Sequence, residues 1–233
     1  MMKKEILFGI PVIKTRIDPK LYDKSKIINT IHKNYKLDPD RNEWNDGEGS
    51  RMHHSYNDWD NKKFKLPNFD KLIKVYENVI KEAIHTYQLK SKISIVASIK
   101  NYTCMKKTQS MQQHNHLTPI DRMSIEKGEI YEDQADFTSI HYIKFNSKKH
   151  KSTVFKSSQA FGKYYDYMCP THKDFLDDTY AENSFMFNEY YFDTLEDDII
   201  FLPSILEHYI PIQTSDETRI TVVANIRVEI PKY

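Results

Sequence analysis

The hydrophobic period changes once along this chain, and the change limits what it can fold into. After Pro67-Asn68, the residues Phe69, Leu72, Ile73, Tyr76, Val79, Ile80, Ala83, Ile84 and Tyr87 recur at helical spacing, with lysines and glutamates between them. That pattern predicts an amphipathic helix with one apolar face, and Asn68 stands where its side chain can accept a hydrogen bond from a first-turn N–H. From Lys92 onwards the period falls to two, over Ile93 to Met105, Met111 to Leu117, Asp136 to Phe145, Thr153 to Phe155 and Ser184 to Phe192. Alternation of this kind marks strands whose two faces differ. A helix with one apolar face normally packs on a sheet, so the expectation is a mostly β fold with supporting N-terminal helices.

The remaining N-terminal part fits that outline. Ile6 to Ile17 reads as one extended segment, and Pro11, which cannot donate to a ladder, predicts an edge position for it. Asp18-Pro19 marks a turn, and Tyr22, Ile27, Ile28, Ile31 and Tyr35 trace a second helical stripe. Residues 37 to 66 show no period and predict a loop, with the adjacent pair His53-His54 solvated on it. His85 is expected at the surface or boundary of the main helix, and His150 and His172 in solvated loops.

At 233 residues the chain can bury one sizeable core, so a single domain is expected, with residues 1–91 as an N-terminal strand and supporting helices and 92–230 as the β core. Lys+Arg 34 against Asp+Glu 33 leaves a formal charge of +1, which gives no electrostatic reason to expect nucleic acid or a membrane as partner. Cys104 and Cys169 stand far apart and in no C-x-x-C pattern, so no disulfide framework or zinc knuckle is expected. The apolar run after Met1-Met2-Lys3-Lys4-Glu5 is broken by Gly9 and Pro11, too early for a signal sequence. A cytoplasmic location is the resulting expectation.

The stretch from Ile199 to Asn225, I-I-F-L-P-S-I-L-E-H-Y-I-P-I-Q-T-S-D-E-T-R-I-T-V-V-A-N, reads as a β-hairpin with a polar turn at Gln213 to Glu217. Two side chains of unusual type interrupt it, His208 and Arg219. A turn centred near Ser215 would set Arg219 opposite Pro211, three residues along the strand from His208, or roughly 10 Å at about 3.3 Å per residue. Upstream, His114 and His116 are two residues apart, so both imidazoles project from one face of an extended segment. Such a pair alone is a common surface pattern; with a third histidine and an arginine on later strands it becomes a candidate metal centre. Three protein ligands on one face of an octahedral iron leave three positions for a bidentate co-substrate and dioxygen. An arginine near such a metal suits the far carboxylate of a keto-diacid.

The order H-x-H, D-F-T-S-I-H-Y-I-K-F, E-D-D-I-I-F-L-P-S-I-L-E-H and R-I-T-V-V-A-N, over about residues 93 to 228, resembles the Fe(II)/2-oxoglutarate-dependent oxygenases. Within them it is most similar to small prolyl-4-hydroxylase-like proteins of bacteria and phages. The resemblance implies a double-stranded β-helix, a cupin-like jelly roll, and hydroxylation of an unactivated C–H with release of succinate and CO2. It implies Fe(II) as metal, 2-oxoglutarate as co-substrate and O2, with a small-molecule or peptide substrate. It implies His114 and His208 as iron ligands and Arg219 on the distal carboxylate of 2-oxoglutarate, with Thr221 and Tyr142 as further groups for that carboxylate. Tyr142 also reads as a core aromatic. The relatives carry a carboxylate where this chain has His116, so the second ligand is either His116 or Asp136, which follows the polar insert Thr118 to Gln134. His141, of opposite parity to Tyr142, is expected outside the site. The aromatic segment Lys156 to Asp178 is expected over the substrate mouth.

Overall fold

A computed structural model describes residues 3–7, 10–41, 51–55, 63–85, 94–116, 135–156 and 189–229. The expected segments Thr118 to Gln134 and most of Lys156 to Asp178, with His172, lie outside the described residues. The N-terminal part carries strands β1 (Lys3–Leu7) and β2 (Ile10–Arg16), helix α1 (Lys24–Leu37), the two-residue strand β3 (His53–His54) and helix α2 (Asp70–His85). Strands β4 (Ser94–Met105), β5 (Met111–His114), β6 (Phe137–Lys144), β7 (Val154–Lys156), β8 (Glu189–Tyr191), β9 (Asp198–Pro203), β10 (His208–Ile210) and β11 (Arg219–Glu229) follow. A 7-stranded sheet has the order β1-β2-β9-β6-β11-β4-β3, and a 4-stranded sheet the order β5-β10-β7-β8.

Every strand pairing given by the register is antiparallel. From β4 to β11 the chain passes back and forth between the two sheets, so the eight strands form a jelly roll, a double-stranded β-helix. No helix among the described residues is long and apolar enough to cross a membrane.

The sequence of β11 shows why the large sheet can serve both a helical layer and a barrel interior. Ile220, Val222, Ala224 and Ile226 pack with Ile27 and Ile31 of α1 and with Leu72, Tyr76 and Ile80 of α2. Burying such a side chain contributes about 1.5–3 kcal/mol, enough to fix which face meets the helices. The alternate residues Arg219, Thr221 and Val223 are thereby turned towards the small sheet, and a slip of one residue would exchange the two sets. The same division runs through β4, where Tyr102 and Cys104 join the helical core, and through β6, where Ile140 and Tyr142 join the inter-sheet core. Asn68 accepts from the Asp70 N–H at 3.0 Å and so holds the start of α2.

Four expectations are corrected. The stretch Ile199 to Asn225 is not a hairpin: β10 pairs with β5 and β7, while β11 pairs with β4 and β6. The polar turn crosses between sheets because Gln213, buried in the corner, is bonded to Gln109 and Lys151 rather than to a facing strand. The Ile6 to Ile17 segment is two paired strands, and β2 lies between β1 and β9. Pro11 is accommodated there because pairing with β9 begins only at Ile13. His53 and His54 are not solvated: they are 0% and 2% exposed on β3, opposite Cys104 and Thr103 of β4. His150 is buried as well, its ring bonded to the backbone of Asn146 and Glu217. In both places tertiary contacts override a locally polar sequence.

Candidate metal centre

Neighbouring strands of the small sheet carry two of the three histidines, since His208 of β10 is the register partner of His114 of β5. Their ring centroids are 4.3 Å apart. His116 lies two residues beyond β5, where its backbone N–H donates to Ser204 O at 2.9 Å. Its ring stacks on that of His208, with centroids 5.1 Å apart and planes at 12°. One nitrogen from each ring lies within 4.8 Å of the others.

Hydrogen bonds fix the form of two of these rings. His114 Nδ1 is 2.9 Å from Gln112 O, and His208 Nδ1 is 3.0 Å from Leu206 O. A carbonyl oxygen only accepts, so both Nδ1 atoms carry hydrogen, and in each neutral ring Nε2 is the nitrogen that has the lone pair for a cation. His116 Nε2 stands 3.3 Å from His208 Nε2, a contact that needs one shared proton between two nitrogens. A metal ion would take the place of that proton. Burial pushes His116 down to about 3, with His114 and His54 acting in the same direction, and holds His208 well below its usual value. Imidazole nitrogens that converge in this way are a donor set that a borderline divalent ion such as Fe(II) takes.

The three rings share an inter-sheet cavity with Asn101, Thr103, Thr153 and Thr221. Arg219, the first residue of β11, is 0% exposed. Its Nη2 donates to Thr153 Oγ1 at 3.2 Å, and its guanidinium carbon is 5.2 Å from the centre of the Tyr142 ring. Its Nε and Nη1 have no hydrogen-bond partner among the described residues. Burial lowers this guanidinium from its usual value, and Tyr142 works against that. Thr221 shares a hydrogen bond of 2.7 Å with Thr103. The Tyr142 hydroxyl accepts from the Thr153 N–H at 3.1 Å and lies 3.2 Å from Ser152 Oγ. A deeply buried cation with two idle donors is poised for an anion.

Asp136 is not brought to the three imidazoles. It is exposed, and its Oδ2 accepts from the Val228 N–H at 2.8 Å, towards the other end of β11 from Arg219. His141 faces the helices, with Nδ1 2.9 Å from the Tyr76 hydroxyl and Nε2 4.0 Å from Asp197 Oδ1. Sequence reasoning missed Thr153, which links Arg219 and Tyr142 to the cavity, and it missed His54. His54 shares its β-register position with the cavity residue Thr103 and is itself pushed down to about 3 by burial, with His114 adding to the effect. The adjacent pair of histidines was the available signal; a lone threonine ahead of a short strand offers none.

No family model and no curated protein sequence matches this chain. Solved structures of similar fold include the viral collagen prolyl hydroxylase of Paramecium bursaria Chlorella virus-1 in its 2-oxoglutarate complex. That match has 11% identity and a TM-score of 0.48, and it covers 92% of this chain and 95% of the other. A Pseudomonas putida prolyl-4-hydroxylase matches at 7% identity, covering 93% and 91%, with a TM-score of 0.47. HygX of Streptomyces hygroscopicus with nickel and 2-oxoglutarate bound matches at 10% identity, covering 92% and 81%, with a TM-score of 0.42.

Proposed function

We propose that this chain is an Fe(II)- and 2-oxoglutarate-dependent dioxygenase that hydroxylates an unactivated C–H of a small-molecule or peptide substrate. One observation carries the reading: three converging imidazoles and a buried guanidinium with two donors unpaired among the described residues occur in one jelly-roll interior. His114, His116 and His208 would hold the metal. When bound, iron with 2-oxoglutarate and O2 supplies the oxidising power that converts a C–H to C–OH, giving succinate and CO2 as co-products.

The protein's own groups divide the remaining work. Arg219 pairs with the distal carboxylate of the keto-diacid and orients it, with Thr221 and Tyr142 lining its approach. Tyr142 holds Thr153, and Thr153 holds Arg219, so the clamp is set before the co-substrate arrives. The two sheets and the helical layer keep water from the reacting atoms.

The all-histidine donor set favours a second reading, a cupin-type dioxygenase that uses no keto-acid. The idle Arg219 donors weigh against it. Succinate formation separates the two: the dioxygenase proposed here releases succinate from 2-oxoglutarate only with Fe(II) and O2 both present. Oxygen consumption that ignores 2-oxoglutarate would favour the cupin-type alternative.

A further inference from the structure

We propose that Asn101 is a specificity-determining residue whose side-chain carbonyl accepts a hydrogen bond from an N–H or O–H donor on a neutral, largely aliphatic substrate. The inference rests on the metal-centre reading above. Asn101 lies on β4 opposite Val223 and is 6% exposed, and its side chain lines the cavity that holds His114, His116 and His208. Its Oδ1 is buried with no hydrogen-bond partner among the described residues. Two residues on, Thr103 occupies the same face, but its hydroxyl is engaged with Thr221. Asn101 therefore offers an acceptor that none of the described residues uses. Buried polar groups are almost always paired, so an unpaired one facing a cavity points to a ligand.

The strand is built to present it. Val223 pairs with Asn101, yet the next residue, Ala224, pairs with Ile99, so Lys100 is an extra residue on the β4 side. Bulges of this kind re-aim side chains beside functional sites. Further along the inward face of β11, Asn225 Oδ1 is also buried without a partner among the described residues, which continues a row of acceptors beyond Val223.

Charge decides what the acceptor can serve. A carbonyl oxygen repels a carboxylate, so Oδ1 does not bind the keto-diacid and is left for the second substrate. Among the described residues no Asp, Glu, Lys or Arg lines the cavity, and its remaining described walls are Met111, Ile140, Ile210 and Val223. A charged substrate group would be stripped of water there and given no partner. The chemistry that fits is an aliphatic segment with one neutral donor near the oxidised carbon, such as a secondary amide or an alcohol.

The test titrates the anaerobic Fe(II)·2-oxoglutarate protein with N-methylacetamide, which has one N–H, and with N,N-dimethylacetamide, which has none, following the visible charge-transfer band. Wild type is expected to respond to the first at a concentration at least about tenfold lower, equivalent to about 1.4 kcal/mol. In Asn101→Leu the ratio should fall to about one, and in Asn101→Gln, which keeps a neutral amide acceptor, the preference should persist. Asn101→Ala repeats the comparison if the leucine variant does not fold. Equal responses in wild type, or a preference that survives in Asn101→Leu or Asn101→Ala, would overturn the proposal. Loss of the band in Asn101→Leu with the fold retained would also overturn it, since the amide NH2 would then be serving 2-oxoglutarate. Absence of the band in wild type would instead sink the metal-centre reading itself.

Discussion

Replacing Arg219 by methionine should make the metal-free protein more stable and the loaded protein less so. The guanidinium is fully buried, and among the described residues it has one hydroxyl partner and two aromatic neighbours. Removing such an ion from water costs several kcal/mol after relaxation. The Thr153 hydrogen bond and the two aromatic contacts together return only part of that, about 2–4 kcal/mol. Methionine has similar length and no charge, so Arg219→Met should raise the unfolding free energy of the metal-free protein by about 1–3 kcal/mol. The same change removes a bidentate charge-assisted pair worth about 1.5–3 kcal/mol, roughly 10- to 150-fold in 2-oxoglutarate affinity. Urea denaturation with and without 2-oxoglutarate, using Mn(II) as a redox-silent metal, reads both effects. At a hundredfold excess over its dissociation constant, 2-oxoglutarate should stabilise wild type by about 2.7 kcal/mol and the variant by far less. A variant less stable than wild type without ligands, or equally stabilised by 2-oxoglutarate, would refute the reasoning.

The metal ligands and the pH response give further tests. His208→Ala should abolish iron binding at micromolar metal, because two remaining imidazoles hold a labile divalent ion poorly; stoichiometric iron in the variant would show another ligand set. His116→Ala should weaken iron binding at least about tenfold and suppress turnover. Asp136→Ala should leave metal affinity intact and cost about 1 kcal/mol of stability through the lost bond to Val228, and the reverse pattern would make Asp136 the ligand. Burial pushes His141 from 6.5 down to about 3, so the unfolded chain binds a proton that the folded chain refuses between those values. Stability is therefore intact above pH 6.5 and falls as pH drops, by about 2 kcal/mol for His141 alone between pH 7 and 5. Metal-free protein with equal urea midpoints at both pH values would contradict that burial.

Much of the architecture was legible because hydrophobic period is a local signal. The α2 face, the strands from β4 onwards and the two-sided alternation of β11 all follow from spacing that any packing partner would have to respect. The route between strands was not. A polar turn such as Gln213 to Glu217 can fold a strand back on its neighbour or carry it across to the other sheet, and its residues suit either. Gln213 decides the matter through bonds to Gln109 and Lys151, which are distant in sequence. His53-His54 reads as loop because a two-residue strand is made only by its partner, β4. At the site, the histidines and Arg219 stand out as rare types in apolar surroundings. Thr153 and Asn101 carry no such mark, and their importance comes from the cavity they line.

The most direct test of the account is an anaerobic titration of the protein with Fe(II) and 2-oxoglutarate, followed in the visible region. Chelation of iron by the keto-acid produces a weak charge-transfer band, and the account predicts one that saturates at one iron and one 2-oxoglutarate per chain. In His208→Ala the band should not form. A protein that binds iron but develops no band at any 2-oxoglutarate concentration would contradict the claim that this interior is a keto-acid oxygenase site.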